Sequence, residues 1–402
     1  MKRTTALITS AALLAALLAG CGQTAPAGSA STPASSASSA ASGQTDPDQA
    51  AADQAAALID AIYVQQRTDD TDAQCAAAKA AWDALTDTQK ALVQGKNASP
   101  DYFGLDTGDA SQDDPRNADG IGEKEILVVS FGTSYNNSRA QDIQGIEEAL
   151  EQAYPGWSVR RAFTAQIIIN HVQARDGEVI DNMEQALERA AANGVKQLVV
   201  QPTHLMHGSE YDEMMDAVEA YRSRFESVAV AEPLLGEVGS DANVINPDKA
   251  AVARAITAAA LADAGYDSLE SAAADGAAFV FLGHGTAHVA KVSYSQMQTQ
   301  LDTLGYDNAW IGTVEGKPED TAAQAVIDAV KAAGYTKVVL RPLMVVAGDH
   351  ANNDMAGEDP ESWKSLFTAA GLEVEVQIAG LGSVPAVQQL YVDHTGEAMA
   401  SL

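Results

Sequence analysis

Two pairs of stretches in this chain are versions of each other. LVVQPTHLMHGSEYDEM, beginning at Leu198, aligns without a gap on VVLRPLMVVAGDHANNDM, beginning at Val338. Pro202 falls on Pro342, Gly208 on Gly348 and Glu210 on His350. Upstream, ILVVSFGTS from Ile126 pairs with FVFLGHGTA from Phe279, placing Phe131 on His284 and Gly132 on Gly285. A duplication restricts the fold to two similar units, each needing a partner for its apolar face. The run Val338–Val346 has the length and β-branched content of a buried strand, and Gly348 ends it. His350 then stands where a parallel strand gives way to a helix, at the sheet edge where open α/β proteins bind ligands. The second copy carries histidines where the first has Phe131 and Glu210.

From Lys124 onward the pattern alternates strand and helix. Strands are expected at Ile126–Phe131, Ser158–Phe163, Lys196–Pro202 and Val228–Ala231, then near Ala278–Leu282, Ala309–Val314, Lys337–Val346 and Glu373–Ile378. Alternation at these lengths predicts an α/β fold of two similar doubly wound parallel-sheet domains facing a cleft, residues 124–243 and 244–402. A small helical segment precedes them. Residues 49–93 space Ala57, Leu58, Ala61, Ile62, Ala78, Ala81, Trp82 and Leu85 as a helical hairpin, read as a spacer or interaction module. Residues 94–123, with Asn, Asp, Gly and Pro throughout, read as a linker.

The N-terminus has its own pattern. Met1–Arg3 is basic, Ala6–Leu18 apolar, and Leu18-Ala19-Gly20-Cys21 resembles a bacterial lipobox. That pattern predicts a signal peptide over 1–20, a lipid on Cys21, a Ser/Ala/Pro-rich tether over 21–48 and an extracytoplasmic, membrane-anchored protein. With Cys21 lipidated, Cys75 has no disulfide partner in the chain. The formal charge of −31 excludes a nucleic-acid binder, which needs basic patches.

Three strand ends of the second half carry donor side chains: His284 after the first, Glu315 after the second and His350 after the third. In a doubly wound sheet these ends share one edge. Two imidazoles and a carboxylate are a donor set for Zn²⁺, Fe²⁺, Co²⁺ or Ni²⁺. Asp349 is a candidate to orient an imidazole. His204, in the matching region of the first half, is expected on the opposite wall as a proton carrier. Arg160, Arg161 and Arg341 are candidates to neutralise a polycarboxylate ligand. No nucleotide loop, nucleophile elbow or HExxH helix is present.

Taken together, VVSFGTSY, RAFTAQII, QPTHLMHGSEY, GHGTAH, VEGKPE, LMVVAGDHANNDMAGEDPESWK and GLGSVPAV resemble the anaerobic-pathway sirohydrochlorin cobalt chelatases of the metal-chelatase superfamily. The resemblance runs from about Glu125 to His394. It implies two α/β domains around a tetrapyrrole cleft and insertion of Co²⁺ into sirohydrochlorin on the way to cobalamin, with no nucleotide cofactor. It also implies a metal held by His284, Glu315 and His350, with His284, His350 and His204 as the proton-handling set. A chelatase for Fe²⁺ or Ni²⁺ and an exported protein that captures a tetrapyrrole or transition metal are the alternatives. Assembly into a homo-oligomer is left open.

Overall fold

The computed structural model describes residues 46–402. Cys21, with the expected signal peptide and nearly all of the tether, lies outside the described residues.

The helical segment comes first. Helix Pro47–Ile62 starts at Asp46, whose carboxylate accepts the Asp48 N–H at 3.1 Å, and Pro47 needs no partner at the first helical position. It packs on helix Thr71–Asp83 through Ala52, Ala56, Ile59 and Ile62 against Cys75, Ala78 and Trp82. A capping box at Thr86 and Gln89 starts the short helix Asp87–Lys90. Burial pushes the Cys75 thiol up to about 11, and its Sγ lies 3.6 Å from the Asn170 carbonyl, so it serves packing. The module is seated on helix Gln166–Asp176. Asn170 donates to the Ile62 carbonyl at 2.8 Å, and Tyr102 stacks on His171 with centroids 4.2 Å apart.

Eight strands follow: β1 (Lys124–Ser130), β2 (Ser158–Phe163), β3 (Gln197–Pro202), β4 (Ser227–Val230), β5 (Ala277–Gly283), β6 (Ala309–Thr313), β7 (Lys337–Pro342) and β8 (Glu373–Val376). They form two parallel sheets of equivalent order, β2-β1-β3-β4 and β6-β5-β7-β8. The duplication holds to the register. Ile126 pairs Val199 and Val129 pairs Pro202, as Phe279 pairs Val339 and Leu282 pairs Pro342.

Side chains alternate as a two-faced strand requires. Ile126, Val128, Phe279 and Phe281 point into one core shared by both halves. Leu127, Val129 and Val200 face a separate outer core of the first half, and Val280, Leu282 and Leu340 one of the second. The shared core is filled by helices Gln144–Ala153, Pro247–Asp263, Val292–Thr303 and Pro385–Met399. Pro247–Asp263 packs on Val292–Thr303 within the second half. One of these crosses over. Pro385–Met399, which follows the second sheet, packs on β3 and Gln144–Ala153 of the first. Among the described residues no helix is long and apolar enough to cross a membrane.

The structure shortens one predicted strand in a way that matters for the site. β7 ends at Pro342, short of Val346. Proline brings no N–H to the ladder. Leu343 N–H still donates to Leu282 O of β5 at 2.7 Å, and beyond it the chain turns to loop partners: Leu381 N–H donates to Met344 O and Gly382 N–H to Val345 O, both at 2.9 Å. The predicted single helix after His350 is likewise a π-helical turn, Ala351–Met355, and a separate helix, Trp363–Ala369, capped by Ser362.

The joint between module and first half has a pH signature. Burial lowers the His171 imidazole to about 4 from the usual 6.5, so folding favours its neutral form. Its contribution is complete above pH 6.5 and is lost as pH falls towards 4. Replacing His171 with Phe keeps the stack without the titration. The denaturation midpoint of H171F is expected to depend less steeply on pH between 6.5 and 4 than that of the wild type; equal slopes would contradict this account.

Candidate metal site between the sheets

The carboxyl edges of the two sheets face each other. Loops after β1 and β3 meet loops after β5 and β7: Ser138 Oγ donates to Ala347 O at 2.7 Å, and His288 Nε2 lies 3.4 Å from Asp212. His284 and His350 come together here, rings edge to face with centroids 4.4 Å apart. Each is fixed through Nδ1. His284 Nδ1 is 2.8 Å from the Gly285 carbonyl, which can only accept, so the proton sits on Nδ1. His350 Nδ1 is 2.6 Å from the Asp354 carboxylate, which imposes the same tautomer. In the neutral form each ring therefore offers Nε2 as its donor nitrogen, the arrangement by which proteins prepare imidazoles as metal ligands.

Glu315 is tied to the same edge by its backbone, its N–H donating to His284 O at 2.9 Å. Its carboxylate is part-exposed and lies 3.5 Å from Lys317 Nζ. Asp349, His350 and Asp354 form the one group among the described residues whose His, Cys, Asp and Glu donor atoms all lie within 4.8 Å of one another. The structure thus gathers His284 with His350, while Glu315 is joined to them through its backbone with its carboxylate facing Lys317, so the three expected ligands do not form one donor group within 4.8 Å.

Asp354, rather than the expected Asp349, orients His350. The two are four residues apart on one turn, which brings their side chains to one face. Asp349 instead accepts from Asn353 at 2.7 Å and faces Tyr135 of the first half. A spacing of His then Asp at i and i+4 was the available sequence signal for this pair.

The opposite wall differs from expectation as well. His204 is buried, with neither ring nitrogen bonded, and desolvation lowers it to about 4. At neutral pH it is the uncharged imidazole, and Glu210 lies 4.0 Å from its Nε2. Glu210 is the first-half counterpart of His350 and keeps half its side chain open to solvent. Desolvation between the walls, with Glu213 nearby, still raises its carboxyl pKa. Phe131, the counterpart of His284, is half-exposed, and Ala165, whose N–H bonds Phe131 O as Glu315 N–H bonds His284 O, stands in place of Glu315. One wall has nitrogen donors; the other has an aromatic ring and one acid of raised pKa.

Two of the arginines singled out as ligand partners are structural. Arg161 is fully buried and bonded to Glu147 and Asp113, and Arg341 is held by Asp263 and Gln377. Arg160 lies in the middle of β2, away from the carboxyl edge.

A duplicated α/β protein with preset imidazole donors where two sheet edges meet belongs to the class of two-walled metal-handling proteins. Residues 124–400 match the cobalt chelatase (CbiK) family, and the chain belongs to that family. It is 34% identical over 277 residues to the sirohydrochlorin cobaltochelatase of Salmonella typhimurium, a match covering 69% of this chain and 97% of that protein. It is 30% identical over 282 residues to the sirohydrochlorin cobaltochelatase CbiKC of Nitratidesulfovibrio vulgaris, covering 70% and 92%. Among solved structures, SirB from Bacillus subtilis with Fe³⁺ aligns over 70% of this chain and 97% of its own at 15% identity and TM-score 0.46.

Removing the Asp354 charge leaves His350 in place but weakens the hold on its tautomer. Asp354→Asn is expected to lower Co²⁺ affinity by roughly 10- to 100-fold, the usual effect of losing such a partner. Titration of the protein with Co²⁺, followed by visible absorption, measures this; wild-type affinity would remove Asp354 from the site.

Proposed function

We propose that this chain is a sirohydrochlorin cobaltochelatase, inserting Co²⁺ into sirohydrochlorin with His284, Glu315 and His350 as the metal-holding residues. The observation that carries the reading is the His284–His350 pair, both rings locked with Nε2 free, at the meeting edge of a cobalt chelatase fold. The family's matched relatives carry that activity in their names.

The chemistry requires positioning and proton transfer. Co²⁺ is the substrate metal, held by Nε2 of His284 and His350, with the Glu315 carboxylate, now paired with Lys317, completing the set. A macrocycle seated between the walls exchanges two pyrrole N–H protons for the metal. On the other wall Glu210, whose carboxyl pKa is raised by desolvation, is the carboxylate placed to accept a proton. His204, neutral and 4.0 Å behind it, can pass a proton onward or hold the carboxylate in place. Half-exposed Phe131 and the exposed Val289 offer apolar surface for the ring. Two imidazoles with carboxylates do not by themselves separate Co²⁺ from Fe²⁺ or Ni²⁺, since affinity follows the general order of divalent metals.

Location is part of the proposal. The Leu-Ala-Gly-Cys pattern supports a lipid on Cys21 and an outward-facing, membrane-attached enzyme. The same pattern favours a second reading, a surface protein that captures a tetrapyrrole or transition metal for uptake. Turnover separates them. The full chain, incubated anaerobically with sirohydrochlorin and excess Co²⁺, is expected to metallate many equivalents. His284→Ala and His350→Ala are each expected to abolish insertion at an unchanged circular-dichroism spectrum. A spectral change that stops at one equivalent would replace the enzyme with the binder.

A further inference from the structure

Residues 104–116 look like a linker by composition, yet in the structure they form a packed strap over the loop that follows β1. Asn137 N–H donates to Thr107 O at 2.9 Å, Asn136 Nδ2 to Gly108 O at 3.1 Å, and Thr107 Oγ1 to Ser134 O at 3.3 Å. The strap is anchored by Asp113, which is buried. One carboxylate oxygen accepts from Arg139 Nε and Arg161 Nη1, both at 2.6 Å, and the other from Arg161 Nη2 at 2.8 Å. Glu147 takes the rest of Arg161, and Arg116, three residues beyond Asp113, reaches Glu147 at 3.1 Å. Arg139 and Arg161 are fully buried, so without the strap two desolvated guanidiniums would lose a shared counter-charge.

The braced loop is the one that touches the metal edge. Arg139 begins the π-helical turn Arg139–Ile143 and donates to Thr133 O at 3.3 Å. Within and just before that turn, Ser138 Oγ donates to Ala347 O at 2.7 Å and Asp142 accepts the Ala347 N–H at 2.9 Å. Tyr135 faces Asp349 and Asn353, on either side of His350 in the chain. A continuous set of bonds thus runs from Asp113 through Arg139 to the segment that carries His350.

We propose that the strap sets the position of His350, with Asp113 as a positioning residue that acts through the loop Thr133–Ile143. The proposal rests on the reading of His284 and His350 as the metal-holding pair. It concerns a part of the chain that the family match, starting at residue 124, does not include. In this chain, the appended segment is therefore an added structural element of the site, and not a spacer alone.

Two variants of the full chain test this. Asp113→Asn weakens the anchor. Gly108→Ala leaves the ion pairs intact but places a Cβ that would overlap the Asn137 side-chain amide, at a φ of +107° that disfavours any side chain. The readouts are Co²⁺ half-saturation by visible absorption, the kcat and KM of cobalt insertion, and the melting midpoint. G108A is expected to raise the Co²⁺ half-saturation concentration roughly tenfold and lower kcat while the helical spectrum is unchanged; D113N is expected to do the same with a lower midpoint. Wild-type Co²⁺ binding in a folded G108A chain would overturn the proposal, as would a D113N deficit that tracks only the unfolded fraction. A wild-type chain that binds Co²⁺ but never turns over would defeat the chelatase reading and leave the brace standing.

Discussion

The backbone of Ala347 is gripped from the first half on both sides, its carbonyl by Ser138 Oγ and its N–H by Asp142. This grip decides where the second half presents His350, three residues on. Its strength is modest: one hydrogen bond contributes about 1 kcal/mol, less than the 1.5–3 kcal/mol or so from burying a single large apolar side chain. Adhesion between the halves comes from the shared core, in which Ile126, Val128 and Ile146 of the first half join Phe279, Phe281 and Tyr391 of the second. What the grip supplies is register. Burial pushes the Asp142 carboxyl up to about 7, while the bonds from Ala347 and Ser383 and the charge of Arg341 act to lower it. Gly380 passes so close that a Cβ there would overlap the carboxylate, which gives the GLGSVP segment a packing reason to carry glycine.

That register explains why the site could be read partly, but not wholly, from the chain. Strand positions were legible because the duplication imposed one hydrogen-bonding scheme twice, and the pairs Ile126–Val199 and Phe279–Val339 bear it out. Adjacency of His284 and His350 followed from neighbouring strands. The crossed helix Pro385–Met399 was not legible, since an apolar stripe says that a face is buried and not against which sheet. His204 shows the same limit in a single residue. Its place in the repeat put it near the opposing wall, but only packing showed it buried and neutral behind Glu210.

The strap was hidden for a different reason. Asp, Asn, Gly and Thr are turn formers because they bond readily to nearby backbone, and that chemistry serves an exposed loop and a packed one equally well. Asp113 became distinctive only when Arg139 and Arg161, distant in sequence, proved to be buried beside it. Burial would raise its carboxyl, yet Arg161 and Arg139 hold it below the ordinary value. A charged group stays ionised in a core only when opposite charges are fixed around it.

The two walls differ in chemistry because the task has two sides. A divalent ion enters a macrocycle as two protons leave it, and identical walls would set both events in competition for the same groups. In this chain the second half keeps His284, Glu315 and His350, while the first has Phe131, Ala165 and Glu210 at the matching places. Nitrogen donors face a carboxylate of raised pKa, and an aromatic ring occupies the place of a ligand. In the chelatase proposed above, a symmetric backbone with unlike side chains would let one wall hold the metal while the other receives the protons. Keeping the walls at fixed spacing then falls to the Ala347 grip and to the strap behind it.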